Sequence, residues 1–342
     1  MSRRSRVAWT AGLIAAGWGG AQAQSPAPSP TPPPRSALET IRDEAARLEP
    51  SVRSAWVKQF LRATGELPAV PARVFYRDAG RARAWTEKDA LALPEAERGA
   101  LQRVEATEEA YYTRYSTPLA YARPLEILAE AGFEPRGRKL VDFGYGNIGQ
   151  LKLLALLGAD AAGIEVDPVL PLLYAAENGP VSGKGGARGA LKLLHGRFPT
   201  DAALVSELGT GYDLFLSKNT LKRGYVHPEK PVPDRQRIDL GVTDAEYVRA
   251  VRRLLKPGGF FLIYNLSPAP APPDQPYIPW ADGRSPFTEE TLKAEGFEVI
   301  AFDRDDSAAA RGMARVLGWD AGAQPMNLET DLFGRYTLAR RK

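Results

Sequence analysis

The stretch from Lys139 to Pro168, KLVDFGYGNIGQLKLLALLGADAAGIEVDP, leaves a chain few ways to fold. Its opening, Leu140-Val141-Asp142-Phe143, has the apolar pattern of a strand buried on both faces of a parallel sheet. Gly144, Gly146 and Gly149 follow. They permit a tight turn and let a ligand approach the backbone where a Cβ would intrude. From Asn147 the spacing of Ile148, Leu151, Leu154 and Leu157 predicts a helix with one apolar stripe, closed at Gly158. A second strand over 161–166 carries Glu165, twenty-one residues past Gly144. Together these make a βαβ unit whose glycine turn can hold an adenosine and whose acid can accept ribose hydroxyls. A dinucleotide fits the same pattern.

Two details favour a different ligand. Asp142 stands two residues before the first glycine, and an acid there suits a cationic or zwitterionic ligand better than a pyrophosphate. Further on, LLKPGGFFLIYN, Leu254 to Asn265, gives a helix end, a Pro-Gly-Gly turn and another buried strand. With these motifs, residues from roughly 111 to 342 resemble the class I S-adenosylmethionine-dependent methyltransferases. The resemblance implies a doubly wound α/β fold with a mostly parallel seven-stranded sheet and an antiparallel strand near the C-terminus. It implies S-adenosyl-L-methionine as cofactor, in contact with Asp142, Phe143, Gly144, Tyr145, Gly146, Asn147, Gly149, Glu165 and Val166. Arg197, Phe198, Ser217 and Tyr115 complete the implied cofactor set. Arg197 departs from the family, which often places an acid there for the adenine amino group; adenine binding then rests on backbone groups and Phe198. Two other readings stay open: a binding or sensor protein that keeps the fold without methyl transfer, and an NAD(P)-binding oxidoreductase.

The chain before this region divides by composition. Residues 1–23 have the arginine-rich start, short apolar core and Ala21-Gln22-Ala23 end of a signal peptide, which predicts a periplasmic or secreted protein. Residues 24–36 are a Pro/Ser-rich extended linker. Residues 37–110 form an N-terminal extension. Its apolar spacing predicts helices over Leu38 to Leu48 and Val52 to Phe60, a hairpin around Asp78-Ala79-Gly80, and a polar helix from about Leu93 to Ala110. Tyr112, Arg114, Tyr115 and Tyr121 either line the cofactor cleft or seal the N-terminal helices onto the sheet.

Beyond the βαβ unit the predicted order is a helix to about Asn178, a mobile loop over 179–189, a strand from Ala190 to Leu194, and a strand from Tyr212 to Leu216. The last delivers Ser217-Lys218-Asn219-Thr220 to the edge where open α/β sheets bind ligands. Two long loops follow: one after this strand with Lys222, Arg223, Tyr225, His227 and Arg235, and one after the strand ending at Asn265, stiffened by prolines. They suggest a roofed site for a small or medium-sized acceptor. The catalytic candidates are His227, Asn219 and Lys218, with His227 placed by its ordinary pKa to remove a proton from an oxygen acceptor.

Composition narrows the chemistry. The chain has no cysteine and two histidines, which rules out disulfides, thiolate metal sites and a cysteine nucleophile, and predicts no metal centre. The net charge of +4 includes Arg3, Arg4 and Arg6 of the leader; +1 remains without them, so no nucleic-acid partner is expected. No stable membrane anchor is expected after cleavage.

Overall fold

Alternation along the strands sets the layers of this protein, for which the computed structural model describes residues 36–321 and 324–342. The predicted signal peptide and the predicted linker up to residue 35 lie outside the described residues. Among them, no helix is long and apolar enough to cross a membrane. The large sheet contains β4 (Lys139–Phe143), β5 (Asp160–Glu165), β6 (Gly179–Ser182), β7 (Arg188–His195), β8 (Tyr212–Lys218), β9 (Leu255–Ser267), β10 (Phe297–Asp305) and β11 (Phe333–Arg341). Leu140, Leu214, Leu216, Leu262 and Tyr264 point to one face, while Val141, Phe215, Phe261 and Ile263 point to the other. Each face is covered by its own helices. On the first lie Ala37–Leu48, Ala55–Arg62, Ala122–Glu130, Gly149–Leu156 and Ser307–Val316; on the second, Ala202–Leu208, Asp244–Leu254 and Glu289–Ala294.

The strand order is β10-β11-β9-β8-β4-β5-β7-β6. Strands β9, β8, β4, β5 and β7 are mutually parallel, and β11 runs antiparallel between β9 and β10. The sheet therefore has the expected doubly wound form and the expected antiparallel strand, but eight strands rather than seven. The eighth is β6, which pairs antiparallel with β7 through 179–182 and 188–191. This replaces the predicted loop: the glycines of GPVSGKGGARG turn a hairpin, with Gly186 at φ +75°. The helix before it is also shorter than predicted and ends at Leu173. Pro257-Gly258-Gly259 lies inside β9, at an irregularity between the Tyr212 and Leu214 pairings.

A second, three-stranded sheet is built by β1 (Arg73–Arg77), β2 (Ala84–Thr86) and β3 (Gln102–Ala106), in the order β2-β1-β3. The β1–β2 hairpin is as predicted. The long polar helix over 93–110 is not: a single turn at Glu95–Arg98 precedes β3, and a short helix follows at Glu108–Thr113. Thr107 caps that last helix through its side chain, which breaks the polar run in two.

Candidate active site

The crevice lies where the chain reverses its winding. From β4 it moves to β5 and β7 on one side, then crosses to β8 on the other, so β4 and β8 flank the topological switch point of the sheet. Asp142 is paired across from Leu216 of β8, and Lys218 lies two residues further along. Alternation places both side chains on the face covered by the N-terminal helices.

Both are buried. Tyr121, which closes the 3-10 turn Pro118–Tyr121, joins them: its hydroxyl donates to Asp142 Oδ2 at 2.8 Å, and the Lys218 ammonium lies 5.1 Å from its ring centre. Gln150, in the first turn of the helix after the glycines, donates to Asp142 Oδ2 at 3.0 Å and to the Tyr145 carbonyl at 2.7 Å. Two polar atoms are left over: Asp142 Oδ1 and Gln150 Oε1 are buried without a partner. The Lys218 ammonium beside them lies over the Tyr121 ring. Burial pushes the Asp142 carboxyl up to about 6, against the opposing pull of Gln150, Tyr121 and the Lys218 charge. Burial also brings Lys218 down to about 8, with Asp142 acting in the other direction.

The glycine turn above them is folded tightly against its neighbours. Gly144 and Gly146 have φ of +73° and +59°. A Cβ on Gly144 would overlap the Thr220 side chain, and one on Gly146 would meet the Tyr115 ring. The open sides of these glycines are thus taken by residues of the chain itself. Asn147 explains the position of Tyr115: its side chain accepts from Tyr115 N at 2.9 Å and donates to the Ser116 carbonyl at 2.5 Å. The Tyr115 hydroxyl then reaches Asp167 Oδ2 at 2.6 Å, bridging the glycine turn and the end of β5. Gly149 approaches Pro118 equally closely. Glu165 braces the turn from below, accepting from Gly146 N at 3.2 Å and Val166 N at 2.8 Å. Burial raises its pKa. Its carboxylate keeps acceptor capacity for a hydroxyl donor beyond these backbone contacts. Beside it, Val166 is 56% exposed and offers an apolar surface.

Other candidates are placed elsewhere. Phe143 and Phe198 join Phe215 and Tyr247 in an aromatic cluster on the second face of the sheet. Tyr145 is buried on the first face against Tyr174. Arg197 is exposed at the rim. Ser217 points away from Asp142 and Lys218, and its hydroxyl accepts from Leu221 N at 3.2 Å. Asn219, at φ +65°, holds β9 to the end of β8 by donating its own N–H to the Tyr264 carbonyl and accepting from Leu266 N. His227 contacts Asp244 at the N-terminus of the helix Asp244–Leu254, with Nε2 2.9 Å from Oδ1. Thr220 was singled out in the sequence, within the polar cluster that ends the strand Tyr212–Lys218, whereas Gln150 and Asp167 were not. Gln150 did leave a signal there, as a polar residue in the first turn of an apolar helix.

The two long loops are stitched to each other. Arg223 N and Gly224 N donate to the Arg284 and Asp282 carbonyls, and Asn265 Nδ2 donates to the carbonyls of Leu221 and Gly283. The Lys222 ammonium donates to the Leu266 carbonyl at 2.5 Å and the Trp280 carbonyl at 3.3 Å.

Strand order, switch-point crevice and an antiparallel strand set between β9 and β10 decide the architecture. The chain has the class I methyltransferase fold. No protein-family model and no curated protein matches it. Solved structures with related folds include an S-adenosylmethionine-dependent methyltransferase from Mesorhizobium loti, 17% identical, covering 65% of this chain and 98% of that one with a TM-score of 0.37. The [4+2]-cyclase SpnF is also 17% identical, with coverages of 90% and 96% and a TM-score of 0.36. Magnesium protoporphyrin IX methyltransferase from Synechocystis with bound SAM is 13% identical, with coverages of 66% and 79% and a TM-score of 0.33. At these scores they add nothing to the strand order itself.

Proposed function

We propose that this protein is an S-adenosylmethionine-dependent methyltransferase acting on a small or medium-sized acceptor. The observation that carries the reading is the set of unmatched buried groups at the switch point. Each buried polar atom left without a partner costs about 1–3 kcal/mol, so a fold retains such a group where a ligand completes it. Asp142 Oδ1 and Gln150 Oε1 accept; beside them the buried Lys218 side chain supplies an ammonium donor. Their complement is a ligand end that carries both an ammonium and a carboxylate, as an α-amino acid does. One strand away, Glu165 has acceptor capacity for a ribose and Val166 an apolar surface for a base. An amino acid end, a ribose and a base together describe S-adenosylmethionine.

The cofactor supplies an electrophilic methyl group on a sulfonium. The chain's own contribution is position and charge: Asp142, Gln150 and Lys218 hold one end, and Glu165 and Val166 hold the other. The stitched loops wall the crevice and keep water from the acceptor. His227, oriented through Nε2 by Asp244, is the base proposed for an oxygen acceptor, as an acid-held imidazole is in other proton-transfer sites. The export address of residues 1–23 belongs to the same proposal.

Calorimetry with S-adenosylmethionine tests the reading. Saturable binding is expected, weakened about tenfold or more in Asp142→Asn and in Lys218→Met, in line with charged hydrogen bonds worth ~1.5–3 kcal/mol. A wild-type protein that gives no heat with S-adenosylmethionine or S-adenosylhomocysteine overturns it.

A further inference from the structure

Strand alternation turns Arg73, Phe75 and Arg77 of β1 toward the body of the protein. Phe75 enters the core. Arg73 donates to the Leu173 carbonyl at 2.8 Å and lies over the Tyr111 ring. Arg77, third on this face, is half-buried with a buried Nε that lacks any partner, and among the described residues its guanidinium forms no hydrogen bond or ion pair. The charges that act on it are Arg81 and Arg114, which repel it, and Asp167, which attracts it. That carboxylate is already engaged by Tyr115, by Val169 N and by Arg114 at 3.4 Å. Arg77 and Arg114 therefore share one occupied carboxylate beside the Tyr115 that covers the glycine turn, and Arg81 adds a third positive charge that acts on Arg77.

The hairpin turn is built to hold its arginine in place. Asp78 accepts from Ala82 N at 2.8 Å and Arg83 N at 3.2 Å, and Arg81 sits at φ +56°, a conformation that favours glycine. A planar guanidinium with free donors, in a locally cationic setting, matches the oxygens of a carboxylate or phosphate. We propose that Arg77, Arg81 and Arg114 form a binding site for an anionic group, carboxylate or phosphate, on the acceptor. Calling the ligand an acceptor rests on the methyltransferase reading; the anion site itself does not.

The experiment is calorimetric titration of the wild-type chain with inorganic phosphate and, separately, acetate at low ionic strength. Saturable binding by one or both is expected, and which one binds more tightly distinguishes the two anions. Arg77→Gln and Arg81→Gln should each weaken it about fivefold or more, the loss of one charge-assisted contact. Arg103→Gln, which lies on the opposite face beside Tyr76 and pairs with Glu105, should leave it unchanged. Undiminished anion affinity in Arg77→Gln and Arg81→Gln overturns the site, as does a wild-type protein that binds neither anion. S-adenosylmethionine affinity, measured on the same variants, should stay within about twofold, since these contacts lie outside the cofactor set. A parallel loss of cofactor affinity overturns the assignment to the acceptor. A wild-type chain that binds phosphate here but not S-adenosylmethionine keeps the anion site and removes the methyltransferase reading.

Discussion

The ring of Tyr115 lies across the backbone of Gly146, its nearest carbon 3.0 Å from where a Cβ on that glycine would stand. The glycine is required there twice over, by its φ of +59° and by the ring above it. Gly146→Ala should lose about 1–2 kcal/mol from the backbone conformation alone, and more from the ring contact. Adding Tyr115→Ala should recover the second part and not the first. Denaturant unfolding of both single variants and the double variant measures this coupling; strictly additive losses would show that the contact carries no energy.

Glu165→Ala should weaken cofactor binding by about 1–3 kcal/mol, because hydroxyl donors lose a charged partner. It should also loosen the glycine turn, since Glu165 accepts from Gly146 N. Amide exchange at Gly146 should accelerate in the variant without ligand. A Gly146 amide that stays as protected as in the wild type would mean that the brace is dispensable.

Cofactor affinity should follow a bell-shaped pH dependence. Asp142 must be ionised to attract an ammonium, so affinity falls as pH drops through about 6. Lys218 must be protonated to attract a carboxylate, so affinity also falls as pH rises through about 8. Lys218→Met should remove the part of the alkaline limb that belongs to Lys218 and move the acid limb upward, because the Lys218 charge holds the Asp142 carboxyl down. Titration calorimetry from pH 5 to about 9 reads both limbs; a flat profile would separate these two groups from the ligand.

If His227 removes the proton from an oxygen acceptor, His227→Ala should lower turnover by about 10²–10⁴ and Asp244→Asn by less, with cofactor affinity unchanged in both. Steady-state rates on a working acceptor, set beside calorimetry, distinguish this from a structural effect. Equal turnover in His227→Ala would place proton removal elsewhere.

Residues 1–36 fused to a reporter that works only outside the cytoplasm should give activity, with the mature chain starting at Gln24. An intact Met1 on the purified protein together with a silent reporter would place the protein in the cytoplasm.

The unit from Lys139 to Glu165 was legible because everything that shapes it is local: an apolar run, three glycines and one helical stripe. Signals failed where the chain is polar on both sides. Strand β3 carries Gln102, Arg103 and Glu105, and only its pairing with β1 makes it a strand. Strand β6 is written in Gly, Pro, Val and Ser, residues that on their own indicate a loop. The site divides in the same way. Asp142 stood out from its position before the glycines, and Lys218 from its place at a strand end. That both face Tyr121 follows from strand order and alternation across 76 residues, which no local pattern records. Asn147 and Asn219 read as ligand contacts, whereas their side chains hold backbone in place; the sequence shows an amide but not what it bonds.

The stitching of the two loops bears on how this protein can be redesigned. Lys222 donates only to carbonyls across the seam, and Asn265 donates to one carbonyl on each side of it, so neither loop contains its own complement of partners. Grafting one loop from a relative would strand a buried ammonium or amide and destabilise the recipient before any new acceptor was tested. Under the proposed function, acceptor preference would pass with the loops as a pair, and a chimera that exchanges specificity would carry 219–243 and 268–288 together.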